Sequence, residues 1–405
     1  MNFKENSPFT PGSPVPIELF VGRSNQVKEI LQYINQTIYG KQENVYLEGE
    51  RGIGKSSLAS FIRSLANSQY EILGIHVFLG TINNLDEMVR RIFEELLKQT
   101  QVQSWFSKIK DLFGQYIKQI GLFGISVSFS PPADELKRLV ISFPEALSKI
   151  IEKIIEDKKG LLIILDDISE LSMKSEFANW YKSFVDQVAT HYQKYPVFIM
   201  LIGLPENRDS LSKLQPSLMR VFRVVEIEKL SDTEVENFLS SAFLKVNIEV
   251  KPDAMEQMVK FSSGLPILMH EIGDATFLKD QDKIIDLDDA IDGILEAGER
   301  IGKKYLDPKV YRAIRSERYI SILRKCAEVP FLRSFTKQDV EARLTENEKQ
   351  VFHNFLRKLR ELEIIEPDLD KGRGSYRFVN EIYPVYIWME AQKFKYRTKY
   401  KQNTI

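Results

Sequence analysis

Residues 49–56 read Gly-Glu-Arg-Gly-Ile-Gly-Lys-Ser, a complete G-x-x-x-x-G-K-[ST] phosphate loop. Gly49, Gly52 and Gly54 let the backbone curl so that consecutive N–H groups, those of Glu50, Arg51 and Ile53 among them, face the oxygens of a nucleotide's phosphates. Lys55 is spaced to reach the β- and γ-phosphates, and the Ser56 hydroxyl to join the shell of a Mg2+ ion. The helix that opens at Lys55-Ser56-Ser57 adds its positive dipole end to the same anion site.

The flanks are those the motif requires. Asn44 to Glu48 reads as a buried strand, and Ser57 to Leu65 carries apolar residues at helical spacing. Strand, loop and helix together predict ATP or a related nucleotide as the ligand.

A chain of 405 residues with 43% hydrophobic and 28% charged residues is expected to fold as two or three globular domains. No apolar run approaches the ~20 residues that span a bilayer, so a membrane partner is not expected. No basic flank precedes an apolar stretch at the N-terminus, and no secretory signal is read. A single cysteine, Cys326, excludes an internal disulfide framework. These features predict a cytoplasmic protein. The net charge is −1, but residues 301–405 hold 23 Lys and Arg against 14 Asp and Glu, leaving 33 against 43 in the first 300. That asymmetry points to an anionic partner for the C-terminal part.

Residues 1–18 lack periodicity and read as an extended arm. A helix is predicted from Gln26 to Ile38, a second strand from Ile72 to Leu79 and a helix from Leu85 to Leu97. Residues 101–145 interrupt the alternation as an insertion. Trp105 to Ile117 is amphipathic there, and Ile125 to Phe129 alternates like a half-buried strand before Pro131-Pro132. The tip Gly121-Leu122-Phe123-Gly124 is expected to pack on the body, with membrane insertion as the other reading. Leu161 to Asp167 is an apolar run of the kind found in the centre of a parallel sheet, and Val197 to Ile202 and Val224 to Ile227 complete five core strands. Ser231 and Glu234 form a helix-capping box, after which everything to about Glu296 reads as helical. Helices are expected at Ser316 to Val329, Thr336 to Arg343 and Glu348 to Leu362. A glycine turn at 372–374 and extended segments at Tyr376 to Val379 and Val385 to Trp388 follow. Three helices followed by a glycine turn and short strands is the order of a winged helix.

Two acids at the end of the 161–167 strand turn a nucleotide-binding loop into a candidate hydrolase. In phosphate-loop proteins the first acid after this strand holds Mg2+, the role assigned to Asp166. The second, Asp167, is placed to orient or deprotonate the attacking water. The alternative for such a pair is a helix cap or a solvated turn.

The set Phe20-Val21-Gly22-Arg23, Gly49 to Ser56, Leu162 to Asp167, Leu201-Ile202-Gly203 and Gly264-Leu265-Pro266 resembles the AAA+-like ATPases of the archaeal-type and STAND groups. It is also similar to the origin-initiator ATPases, which end in a winged helix. The resemblance implies an α/β P-loop NTPase domain over residues 19–229, an α-helical lid over 230–300 and a winged helix over 301–405. It implies that Val21, Gly22 and Arg23 line the adenine pocket, and that the turn before Pro266 closes over the nucleotide. Two departures stand out. The lid helix begins Pro266-Ile267-Leu268-Met269-His270, without the arginine of initiators, and the 197–202 strand lacks an immediate Asn or Thr, leaving Asn207 and Arg208 as the nearest polar candidates. Both departures favour the STAND-like side, in which the nucleotide acts as a switch and turnover is slow.

An arginine finger is expected just before the fifth strand, where Arg220 is the first candidate and Arg223 the second; it would act across the interface of a homo-oligomer. A surface ion pair is the other reading of either residue. The third C-terminal helix carries Arg357, Lys358 and Arg360, the wing Lys371, Arg373 and Arg377, and the tail Lys393 to Lys401. These would meet DNA phosphates, whereas Glu361, Glu363, Glu366, Asp368 and Asp370 would repel them, so a DNA partner and a protein effector both remain open.

Overall fold

Five short strands form one parallel sheet: β1 (Glu43–Glu48), β2 (Ile72–Phe78), β3 (Gly160–Asp166), β4 (Val197–Gly203) and β5 (Arg223–Glu226), in the order β2-β3-β4-β1-β5. The computed structural model describes residues 6–12, 17–100, 109, 112–118, 128–314, 316–327, 333–380 and 382–391. Every residue of β1, β3 and β4 is buried; β3 and β4 are the near-continuous apolar runs of strands covered on both faces, whereas β1 also buries Glu43, Asn44 and Glu48.

Alternation along the strands divides the side chains between two helical layers. Tyr46, Ile75, Val77, Ile163, Leu165, Ile199 and Leu201 face one core, shared with the helices Leu85–Thr100, Phe143–Ile154 and Ser175–His191. The other face is covered by α1 (Ser24–Ile38) and α2 (Lys55–Gln69), whose Ile30, Ile34, Leu58, Ala59 and Ile62 are fully buried. Register aligns the strand ends: Leu47 of β1 lies opposite Ile202 of β4, and Ile202 opposite Asp166 of β3. The phosphate loop and the paired acids therefore leave the same edge of the sheet, the edge where open α/β sheets take ligands.

Within the insertion, Ile117–Lys118 pairs antiparallel with Ser128–Phe129. Phe113 and Phe129 are buried against Phe93 of the Leu85–Thr100 helix, with ring centroids at 5.1 and 5.7 Å. The expected features at Trp105, Gly121 to Gly124 and Ile125 to Val127 lie outside the described residues.

The chain divides into two compact units, residues 14–228 and residues 1–13 with 229–405. The second is built from the helices Asp232–Lys245, Pro252–Ser262, Pro266–Lys279 and Leu287–Ile301. The capping box read at Ser231 and Glu234 forms on both sides, which fixes where the first of them starts. Phe9, from the segment expected to be an arm, is buried among Phe238, Phe243 and His270 of this unit. His270, on the Pro266–Lys279 helix, points inward. It is 3% exposed, its Nδ1 accepts from the Thr10 amide at 3.1 Å, and burial pushes its pKa down to about 4.

The C-terminal part of that unit has helices Glu317–Cys326, Lys337–Glu341 and Glu346–Glu361, and a three-stranded antiparallel sheet in which Ser375–Phe378 lies between Ser334–Thr336 and Ile365–Pro367. This is a winged-helix arrangement. One expectation fails: Val385 to Trp388 is not extended but part of a helix over 382–391. Asn380 Oδ1 caps it by accepting from the amides of Ile382 and Tyr383 at 3.1 and 3.0 Å. Ile382, Val385 and Tyr386, at helical spacing, are buried, whereas an alternating strand would have exposed one of the adjacent pair.

Candidate functional site

The loop that follows β1 is held by backbone geometry that glycine permits. Gly52 and Gly54 have φ values of 76° and 94°, in the region where a β-carbon is unfavourable. At Gly49 a β-carbon would stand 2.7 Å from the Ile227 carbonyl oxygen. The neighbouring Ile227 amide donates to the Glu48 carbonyl at 2.8 Å, and Ile53 is 1% exposed, so the loop is anchored by one buried side chain while Glu50, Arg51 and Gly52 face solvent. Helix α2 begins at Lys55 with Gly54 as its cap, so its N-terminal turn, with the positive end of the helix dipole, opens directly from the loop.

Lys55 is half-buried, and its Nζ donates to the carbonyls of Gly49 and Glu50 at 2.7 and 2.8 Å. Burial lowers its pKa, while the carboxylates of Asp166 and Asp167 pull the other way. The structure thus brings Lys55 into the field of both acids. Asp166 closes β3, is 4% exposed, and sits two strands from Leu47, a Cα separation of about 10 Å at ordinary strand spacing. Asp167 follows in the left-handed region at φ 59° and is exposed; its Oδ1 accepts from the Ser169 hydroxyl at 2.6 Å. The two acids have different surroundings, one enclosed and one open to solvent.

Sequence reasoning missed the partner of Asp166. His76, on β2, places Nε2 2.8 Å from Asp166 Oδ2, and both side chains are about 5% exposed or less. Its Nδ1 lies 3.4 Å from the Ser60 hydroxyl of α2, and its ring stacks on Phe78 with centroids 4.4 Å apart. A lone histidine in an apolar strand gives no signal of this contact, because the two residues are 90 positions apart and meet only through strand register. Glu48 was missed for the same reason. It ends β1 and is 4% exposed, with Oε1 accepting from Arg208 Nη1 at 2.7 Å and Oε2 buried without a hydrogen-bond partner.

Other expected site residues have roles of their own in the fold. Arg23, in the left-handed region and buried, donates from Nη2 to the Ile53 carbonyl at 2.5 Å; it braces the loop. Val21 and Gly22 are partly exposed just before it. Asn207 accepts from the Leu204 amide at 2.9 Å as a helix cap, and Arg208 is engaged by Glu48. Arg220 is exposed on the segment Pro216–Arg220, while Arg223 pairs with Glu43 at 3.2 Å and lies over the Tyr33 ring. Of the two finger candidates, only Arg220 is left available among the described residues. Pro266 opens its helix at the first position in the helical unit, after Gly264, whose φ of 67° and 2.3 Å approach to the Leu230 carbonyl exclude a side chain. In the winged helix, Arg357, Arg360 and Arg373 are exposed, with Arg357 3.9 Å from Glu361; the tail from Lys393 lies outside the described residues.

A five-stranded parallel sheet with this loop at the end of β1 and an acidic β3 defines a phosphate-loop nucleotide-binding protein. Residues 19–179 match the family model described as AAA ATPase domain. A curated protein of Methanocaldococcus jannaschii, named an uncharacterized HTH-type transcriptional regulator, is 20% identical over 281 residues; the match spans 64% of each chain. Among solved structures, the Walker-type ATPase of Pyrococcus abyssi aligns over 91% of this chain and 96% of its own, with 18% identity and a TM-score of 0.51. The ORC2 protein of Aeropyrum pernix, solved as ADPNP–ADP complexes, aligns over 98% and 99% with 14% identity and a TM-score of 0.56. At such identities these likenesses speak for the fold.

Proposed function

We propose that this chain is an ATP-hydrolysing switch in which the nucleotide controls assembly and the disposition of the winged helix. One observation carries the reading. The Lys55 ammonium is folded over the carbonyls of its own loop, in the field of Asp166 and Asp167, at the edge where β1 and β3 end. The loop amides and Lys55 bind and orient the triphosphate. Ser56 and Asp166 offer hard oxygen donors, the ligand class that Mg2+ takes. Bound there, the ion would neutralise charge on the β- and γ-phosphates. Asp167, open to solvent and oriented by Ser169, positions the attacking water and takes its proton. Val21, Gly22 and Arg23 border the base, and the 230–300 helices with Pro266 act as the lid. Arg220 reaches the site of a neighbouring copy in a homo-oligomer. The absence of a lid arginine supports slow turnover, and the cytoplasm is the proposed compartment.

The experiment is single-turnover hydrolysis with Asp167→Asn. Binding of a fluorescent ATP analogue should persist while hydrolysis falls by about 100-fold or more. Turnover at the unmodified rate would remove Asp167 from the water-orienting role.

A second reading, an ATP-gated DNA-binding initiator or loader, is favoured by the exposed Arg357, Arg360 and Arg373 and by the name of the Methanocaldococcus relative. A separate effector protein is the alternative partner of the winged helix.

A further inference from the structure

The β2 histidine has no place in the reading above, yet its ring is fixed from three sides. Nε2 meets Asp166 Oδ2 at 2.8 Å, Nδ1 meets the Ser60 hydroxyl at 3.4 Å, and Phe78 covers one face at an interplanar angle of 20°. We propose that His76 is the positioning residue for Asp166, holding one carboxylate oxygen so that the other is presented to the metal. The proposal rests on the assignment of Asp166 to Mg2+.

The polarity of the contacts follows from the groups themselves. A carboxylate oxygen accepts, so the imidazole donates Nε2–H to Oδ2, while the Ser60 hydroxyl, able to donate or accept, suits Nδ1 in either form. Both side chains are about 5% exposed or less, so water cannot substitute for the donor, and a buried carboxylate oxygen without one is unfavourable. The strand supplies the geometry: residues 74, 76 and 78 share the β2 face that meets α2. Gly74 lets the Arg63 stem of α2 lie directly on the strand, since a β-carbon would approach Arg63 Cγ to 2.6 Å. Ser60 lies one turn beyond Ser56 on the same helix. The chain Ser60–His76–Asp166 therefore joins the phosphate-loop helix to the acid of β3. Orienting partners of this kind commonly tune metal affinity or activity by roughly 10- to 100-fold.

The test uses full-length protein with His76→Ala and His76→Gln, the glutamine keeping a donor near the position of Nε2. In the alanine variant the Mg2+ concentration for half-maximal hydrolysis should rise roughly 10- to 100-fold, with nucleotide binding in EDTA unchanged, and glutamine should recover most of the loss. In metal-free wild-type protein, 15N–1H spectra of histidine should show a protonated, hydrogen-bonded Nε2 for His76, shifted on Asp166→Asn. An unaltered Mg2+ requirement in His76→Ala overturns the proposal. So does a loss of nucleotide binding in EDTA equal to the loss of activity, which would mark a structural role only. Should His76→Ala fail to fold, glutamine and Ser60→Ala carry the same Mg2+ titration, Ser60→Ala giving a smaller shift in the same direction; no shift in either overturns the proposal. Wild-type protein without Mg2+-dependent hydrolysis would sink the functional reading instead, while the histidine spectra would still decide whether His76 holds Asp166.

Discussion

Replacing Arg208 with methionine should destabilise the phosphate-loop unit by about 2 kcal/mol at pH 8 and by less than half of that at pH 5. Glu48 is 4% exposed, accepts from Arg208 at 2.7 Å, and has its second oxygen buried without a hydrogen-bond partner. Removing one member of a fully buried pair costs about 3–5 kcal/mol. The Arg208 side chain is 31% exposed, so solvent screens part of the interaction and the smaller figure applies. Methionine keeps the length of the stem, which separates charge from packing. Burial raises the Glu48 pKa, Arg208 opposes that rise, and Glu226, Asp209 and Glu206 add to it. A carboxyl whose folded pKa is raised contributes stability below its unfolded value of about 4.3 and loses it as the pH climbs through the folded value. Deleting Arg208 moves the folded value higher still, so the deficit must widen with pH. Urea unfolding at pH 5, 6.5 and 8 measures it, with Glu48→Gln in the Arg208→Met background as the control that should abolish the pH dependence. A deficit that is equal at the two ends, or larger at pH 5, would refute the argument.

Three further outcomes are expected. Lys55→Ala should weaken ATP binding by about 100-fold or more, read by calorimetry, with the melting temperature in the absence of nucleotide little changed because its two contacts are to loop carbonyls, one of them exposed. Phe9→Ala should cost about 3 kcal/mol in the unit that contains Phe238, Phe243 and His270, measured by hydrogen exchange of the Pro266–Lys279 helix; unchanged exchange would mean that the N-terminal segment does not dock. If the winged helix binds duplex DNA, Arg357→Ala with Arg373→Ala should weaken it across all sequences and flatten the salt dependence by about two charges; binding with an unaltered salt slope would move the contact elsewhere.

Local pattern carried much of this protein. The loop at 49–56 needs only glycines and a lysine at fixed spacing. The strand at 161–167 declares itself because a segment buried on both faces has no room for polar alternation. The capping box at Ser231 and Glu234 is a contact between residues three apart, so sequence and structure coincide there. The segment at 385–388 misled because four large apolar residues suit a strand or a buried helix equally, and only the Asn380 cap and the neighbouring helices choose between them.

What the sequence could not reach are pairings made by register and crossover. The His76–Asp166 contact joins strands separated by 90 positions, and Glu48–Arg208 spans 160. Each depends on which strands become neighbours, a choice made by the packing of whole helices on a sheet. Composition and periodicity specify that a strand exists and which face is apolar; they do not say what stands beside it. The nucleotide loop was therefore settled by the chain alone, whereas the surroundings of its acids, which set how a metal would be held, were decided only when the sheet closed its order around them.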